Sequence, residues 1–252
     1  MRPAERPPRP DALTDAAKRL LAEGDITVKG RLPWSSNGTF LVELCLDGET
    51  SQAVYKPLAG ERPLWDYPPG LYRREIATYE VSEALGWGLV PETVERVGPF
   101  GVGSVQQFVD ADFDEHYFTL LERPEHHDAL KAVCAFDLVV NNGDRKGGHC
   151  LLAADGRHGG AGQAGRIWAI DHGLCLHAHP KLRTVIWDFE GQPIPAERLA
   201  DIARLALDPP ARLAELVTPA EVDALTARAR AVLKKPVFPA ARSARAFPWP
   251  LV

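Results

Sequence analysis

The sequence predicts an α+β protein in two lobes, a strand-rich first half followed by a helix-rich second half. Three observations carry this. Residues 25–58 hold three runs of strand character, DITVKGRL, TFLVELCL and SQAVYKPL, separated by turn-forming residues. One helical stretch, YRREIATYEVSEALG, interrupts them before ETVERVG and GVGSVQQFV resume the strand pattern. From residue 126 onward the long apolar patterns are mainly helical.

Each element follows in order. MRPAERPPRP is proline-rich and charged, so residues 1–12 read as a disordered tail. DALTDAAKRLLAEG has helical spacing, an acidic start and a glycine stop. PWSSNG, between the first two strands, reads as a hairpin turn. The helix at 72–86 places Ile76, Tyr79, Val81 and Leu85 at apolar positions and ends on Gly86. HHDALKAVCAFDLVV is a helix, HCLLA and RIWAID are short strands, and DGRHGGAGQAGR between them is a glycine-rich hairpin or loop. PAERLADIARLAL and TPAEVDALTARARAVLKK are helices, with caps at Pro195 and Thr218. The expected lobes are 13–109 and 110–236, with a tail at 237–252.

The composition narrows the function classes. The chain has 252 residues, 45% apolar and 25% charged, which suits one large domain or two small lobes. The net charge of −5 gives no reason to expect nucleic acid or an anionic membrane as partner. Cys45, Cys134, Cys150 and Cys175 form no C-x-x-C pair, and read as reduced core thiols. With no signal-like leader and no long apolar run, a cytoplasmic location is expected.

Four charged residues stand out. Lys56 sits inside a strand, where a buried ammonium needs a partner, and Glu75 on the following helix can supply it. Asp144 lies in VVNNGDRKGGHCLL, a polar, glycine-rich interruption between two apolar runs, and Asp171 ends the strand IWAI in the sequence DHG. A strand lysine, a helix glutamate, a loop aspartate, a metal ligand five residues later and an Asp-x-Gly are the parts of a phosphoryl-transfer site, in that order. Lys56 would hold phosphates, Glu75 would hold Lys56, Asp144 would accept or orient the attacking hydroxyl, and position 149 and Asp171 would bind a divalent metal. Arg145 would steady developing charge or pair with a local acid.

The blocks AVYKP, YRREIATYEVSEALG, GSVQQFV, FDLVVNNGDRKGGHCLL and IWAIDHGLCLH resemble those of phosphatidylinositol 3- and 4-kinase-like enzymes. The nearest are the type II phosphatidylinositol 4-kinases, the HipA-like kinases and a group of actinobacterial proteins similar to them. The resemblance spans about residues 28–195 and implies a two-lobed protein-kinase-like fold with ATP and Mg2+ or Mn2+ as cofactors. It makes Ser35, Ser36, Asn37 and Gly38 the turn over the phosphates. It puts Gln107, Phe108 and Val109 on a hinge whose backbone would bind adenine, and gives Asp137 a structural part. The resembled families carry asparagine where this chain has His149, so His149 reads as a working ligand, a sign of altered metal use or a degraded site.

The function expected is transfer of the γ-phosphoryl group of ATP to a hydroxyl of a protein or small-molecule acceptor, with lipid the least favoured. Two alternatives stand beside it. A pseudokinase would bind nucleotide and act through a partner. A metal-dependent hydrolase would use His149, Asp171, His172, His177 and His179. The basic, aromatic stretch from Arg228 to the end reads as a loosely packed tail or as an anionic-surface contact.

Overall fold

The computed structural model describes residues 13–33, 35–153 and 165–252. The expected disordered tail and most of the glycine-rich loop lie outside them.

Helix α1 (Asp15–Glu23) begins at Thr14, whose hydroxyl accepts the Ala17 N–H at 3.2 Å. Strands β1 (Asp25–Arg31), β2 (Phe40–Leu46) and β3 (Glu49–Pro57) follow. They join β4 (Thr93–Gly98) and β5 (Gly101–Gln107) in an antiparallel sheet of order β1-β2-β3-β5-β4. Asp47 and Gly48, at φ 52° and 85°, form the two-residue turn between β2 and β3 that the strand twist favours. In β3 the pleat sends Ala53 and Tyr55 into the core with Leu20, Leu21, Val42, Leu44 and Val105. Lys56 therefore projects from the other face, towards α2.

Helix α2 (Leu71–Leu85) joins the sheet to the rest of the molecule. It is buried on several sides, which accounts for Arg74, Glu75, Thr78 and Ser82 lying in the interior beside Ile76, Val81 and Leu85. The Glu61 carboxylate caps its first turn, accepting the N–H groups of Gly70 and Tyr72 at 2.8 Å each. Gly86 ends it in the left-handed region at φ 67°.

The second half holds a small sheet of β6 (Ala111–Asp112), β7 (Cys150–Ala153) and β8 (Ile167–Ala169). Around it lie α3 (Tyr117–Leu121), α4 (His127–Val140), α5 (Ala196–Leu207), α6 (Leu213–Leu216) and α7 (Pro219–Lys234). The main core runs from α2 through α4 to α5 and α7. Thr218 and Glu221 form a capping box at α7, while Pro195 precedes α5 without a side-chain cap. The mixed α+β layout, an antiparallel sheet followed by a helical part, is the one expected. Helices α3 and α6 were not anticipated. Cys134, Cys150 and Cys175 are buried thiols, but Cys45 is exposed, because it alternates outward along β2.

The C-terminal stretch is not loosely packed throughout. Phe238 is buried, and the Gln192 carbonyl accepts its N–H at 3.0 Å. Farther on, the Ala246 carbonyl accepts the Thr184 N–H at 3.0 Å, and that of Leu251 accepts the Gly147 N–H at 2.7 Å. Among the described residues, no helix is long and apolar enough to cross a membrane.

Candidate active site

Sheet, α2 and the DHG segment meet at Lys56. Its ammonium lies 2.5 Å from Glu75 Oε1 and 2.9 Å from Asp171 Oδ1. The other Glu75 oxygen accepts the backbone N–H of His172 at 2.9 Å, so the buried glutamate binds both β3 and the residue after Asp171. Burial opposes the Lys56 charge, but Asp171 and Glu75 outweigh it and hold the ammonium pKa above its usual value. Burial lifts the Glu75 carboxyl against the pull of Lys56. Asp171 is held well below the usual carboxylate range, first by Lys56.

The loop after α4 is built by its own polar residues. Asn141 ends the helix at φ 56°, and its side chain holds the 177–181 segment through the carbonyls of His177 and His179 and the N–H of Lys181. The Asn142 amide oxygen accepts the Asp144 N–H at 2.9 Å, and its NH2 donates to Asp137 Oδ1 at 3.0 Å. Gly143 must be glycine, since a Cβ there would meet the Tyr67 hydroxyl at 2.9 Å and the Leu174 carbonyl at 3.0 Å. Asp144 is thus turned towards the cleft, with Lys146 Nζ 3.4 Å from its carboxylate. Burial pushes the Asp144 carboxyl up to about 6, against the lowering influence of Lys146.

Arg145 takes the local-acid role rather than a place at the reacting atoms. It is fully buried, paired with Asp137 at 3.0 Å, and donates to the Ile170 carbonyl at 2.8 Å. The same Nη2 that pairs with Asp137 also lies 2.7 Å from His172 Nε2. One guanidinium therefore fastens the loop to α4 and to the DHG segment, and Asp137 has the structural part expected of it.

His149, expected as a metal ligand with Asp171, lies beside it. Its Nδ1 accepts the Lys146 N–H at 3.3 Å. Nε2 lies 3.3 Å from Asp171 Oδ2. Burial lowers its pKa to about 4, so the ring is neutral at pH 7. The other histidines do not converge: His172 is buried on Arg145, and His177 packs against the Tyr67 ring. Among the described residues no three His, Cys, Asp or Glu side chains form a metal-holding group. The residues present still suit a hard divalent ion such as Mg2+, which needs only one or two carboxylates when phosphate oxygens complete its shell. Asp171 would be such a carboxylate.

A cavity of about 370 Å³ opens over these groups, lined by Lys56, Glu75, Asp144 and Asp171 together with Ser35, Ser36, Asn37 and Gly38. The turn 35–39 is tied down: the Gly38 N–H donates to the Gly60 carbonyl at 2.7 Å, and Ser35 Oγ lies 2.7 Å from Thr39 Oγ1. Gln107, Phe108 and Val109 do not line this cavity. The N–H groups of Gln107 and Phe108 donate to the carbonyls of Glu92 and Gln52. Sequence reasoning missed Glu61, Arg62, Tyr72 and Leu174, which complete the cavity wall. The proline- and glycine-rich run after Lys56 was the signal that could have found the first two.

No family model matches the chain. A search of solved structures gives a proinflammatory kinase, CtkA, of Helicobacter pylori, at 13% identity and a TM-score of 0.47 over 86% of this chain and 94% of that one. It also gives the Rio2 kinase–ADP/Mg2+–phosphoaspartate complex of Chaetomium thermophilum, at 15% identity and 0.42 over 87% and 74%. Among curated proteins, Rv2133c of Mycobacterium tuberculosis is 39% identical over 94% of this chain and 96% of its own length. At that identity over nearly the whole of both chains, this protein belongs to the Rv2133c family.

Proposed function

We propose that the chain is an ATP-dependent phosphotransferase of the phosphatidylinositol 3-/4-kinase-like kind, with lobes at 13–109 and 110–236. The observation that carries this is one lysine shared by two carboxylates at the floor of a cavity that a third carboxylate, Asp144, also lines. Lys56 holds the non-transferred phosphates, and Glu75 fixes Lys56. Asp171, with His149 beside it, would hold Mg2+ or Mn2+, and the ion would supply neutralisation of the phosphate charge. Asp144 takes the proton of the acceptor hydroxyl as its oxygen bonds to the γ-phosphorus and the bond to the β–γ bridging oxygen breaks. The acceptor is a protein or a small molecule.

Thermal unfolding with ATP and no metal, Mg2+ or Mn2+ tests this. Ligand at a hundred times its Kd adds about 2.7 kcal/mol, or roughly 5–10 °C for a chain of this size. A shift that needs ATP and a divalent ion together is expected. No shift with any metal would remove the nucleotide site. His149, standing beside Asp171 where the resembled families carry asparagine, favours one second reading, a nucleotide-binding pseudokinase, which would show the shift but no phosphate release or transfer.

A further inference from the structure

The cations around the cleft are nearly all engaged with acids. Lys56 lies between Glu75 and Asp171, Lys146 against Asp144, Arg145 on Asp137, and Lys181 on Asp66. Arg62 differs. It is exposed, lines the same cavity as Lys56, Asp144 and Asp171, and among the described residues has no acidic side chain within ion-pair distance.

Its backbone is held firmly. The Arg62 N–H donates to Asn37 Oδ1 at 2.9 Å. Two residues earlier Gly60 lies so close to Gly38 that a Cβ on Gly38 would sit 2.9 Å from the Gly60 Cα. Between them Glu61 is spent on the first turn of α2. The turn 35–39, Arg62 and the start of α2 therefore form one unit. A polyphosphate entering this cleft meets cations that already face carboxylates, and needs one that does not. A guanidinium presents a planar fork that matches two phosphate oxygens.

We propose that Arg62 is a second phosphate-binding cation, which grips the terminal phosphate of a bound nucleoside triphosphate beside the turn 35–39. This rests on the nucleotide reading of the cleft given above, and the test separates the two. Isothermal titration of the parent, R62A and R62K uses ATP with Mg2+, adenosine, and tripolyphosphate alone. R62A should weaken ATP and tripolyphosphate by roughly 10- to 100-fold and leave adenosine unchanged, as loss of a charged hydrogen bond would. R62K should recover part of the loss. Melting of R62A should match the parent, since the side chain is exposed. Equal tripolyphosphate affinity in parent and R62A, or equal weakening of adenosine and ATP, would overturn the proposal. A parent that binds tripolyphosphate through Arg62 but no ATP keeps the anion site and rejects the nucleotide. A parent that binds neither rejects both.

Discussion

Asp144 has a carboxyl pushed up to about 6 by burial, and that value gives its role a measurable signature. A base works deprotonated, so kcat/KM should be level above pH 6 and fall towards tenfold per unit below it. D144N should lose roughly 10²- to 10⁴-fold in transfer, flatten that acid limb and melt with the parent. An unchanged limb in D144N would assign the titration elsewhere. Lys56 and Glu75 could be read from the sequence because a lysine inside a strand demands a counterion. Arg145 could not, since the same residue type beside Asp144 serves equally well at the reacting atoms or in the interior. Only the fold, which brings Asp137, Ile170 and His172 around it, decides. His149 is similar. Its spacing from Asp144 marks it as a candidate ligand, whereas its neighbours, the Lys146 amide and the Asp171 carboxylate, are set by the fold.

Among elements, β3 depends on how closely its neighbours approach. A Cβ on Gly103 would lie 2.4 Å from the Lys56 carbonyl oxygen, within the β3–β5 pairing that sets the lysine. G103A should cost about 1–3 kcal/mol, seen in urea unfolding, and lower nucleotide affinity with it. A G103A protein that matched the parent in both would show that this pairing does not fix Lys56. The five strands, α2, α4, α5 and α7 were legible because each is long enough to show its period. Helices α3 and α6, of five and four residues, are shorter than any period can reveal. The run from Leu58 to Gly70 was illegible for another reason. Its shape is set by partners elsewhere in the chain, Glu61 on α2 and Asp66 on Lys181 at 2.7 Å.

Across the whole molecule, α2 is bound to the helical part by buried polar links as well as apolar packing. Arg74 lies 2.5 Å from Glu221 on α7 and donates to the Cys175 carbonyl at 2.8 Å, while Trp87 Nε1 donates to Asp201 on α5 at 2.7 Å. R74M leaves Glu221 without its counterion at the edge of the core, and should cost about 3–5 kcal/mol, or at least about 6 °C in Tm. The double variant R74M/E221L should recover part of that loss, and failure to recover would point to packing rather than charge. The loop that carries Asp144 draws its supports from late in the chain: Arg145 bridges to Thr184, Thr184 to Ala246, and Gly147 to Leu251. During synthesis all five strands of the sheet, Lys56 among their residues, have been made once β5 has left the ribosome, whereas the Asp144 loop gains its last props only when residues 246–251 follow. A nascent chain thus acquires the sheet that carries Lys56 first and the Asp144 geometry last, so that partly made copies hold the parts of the site without its final arrangement.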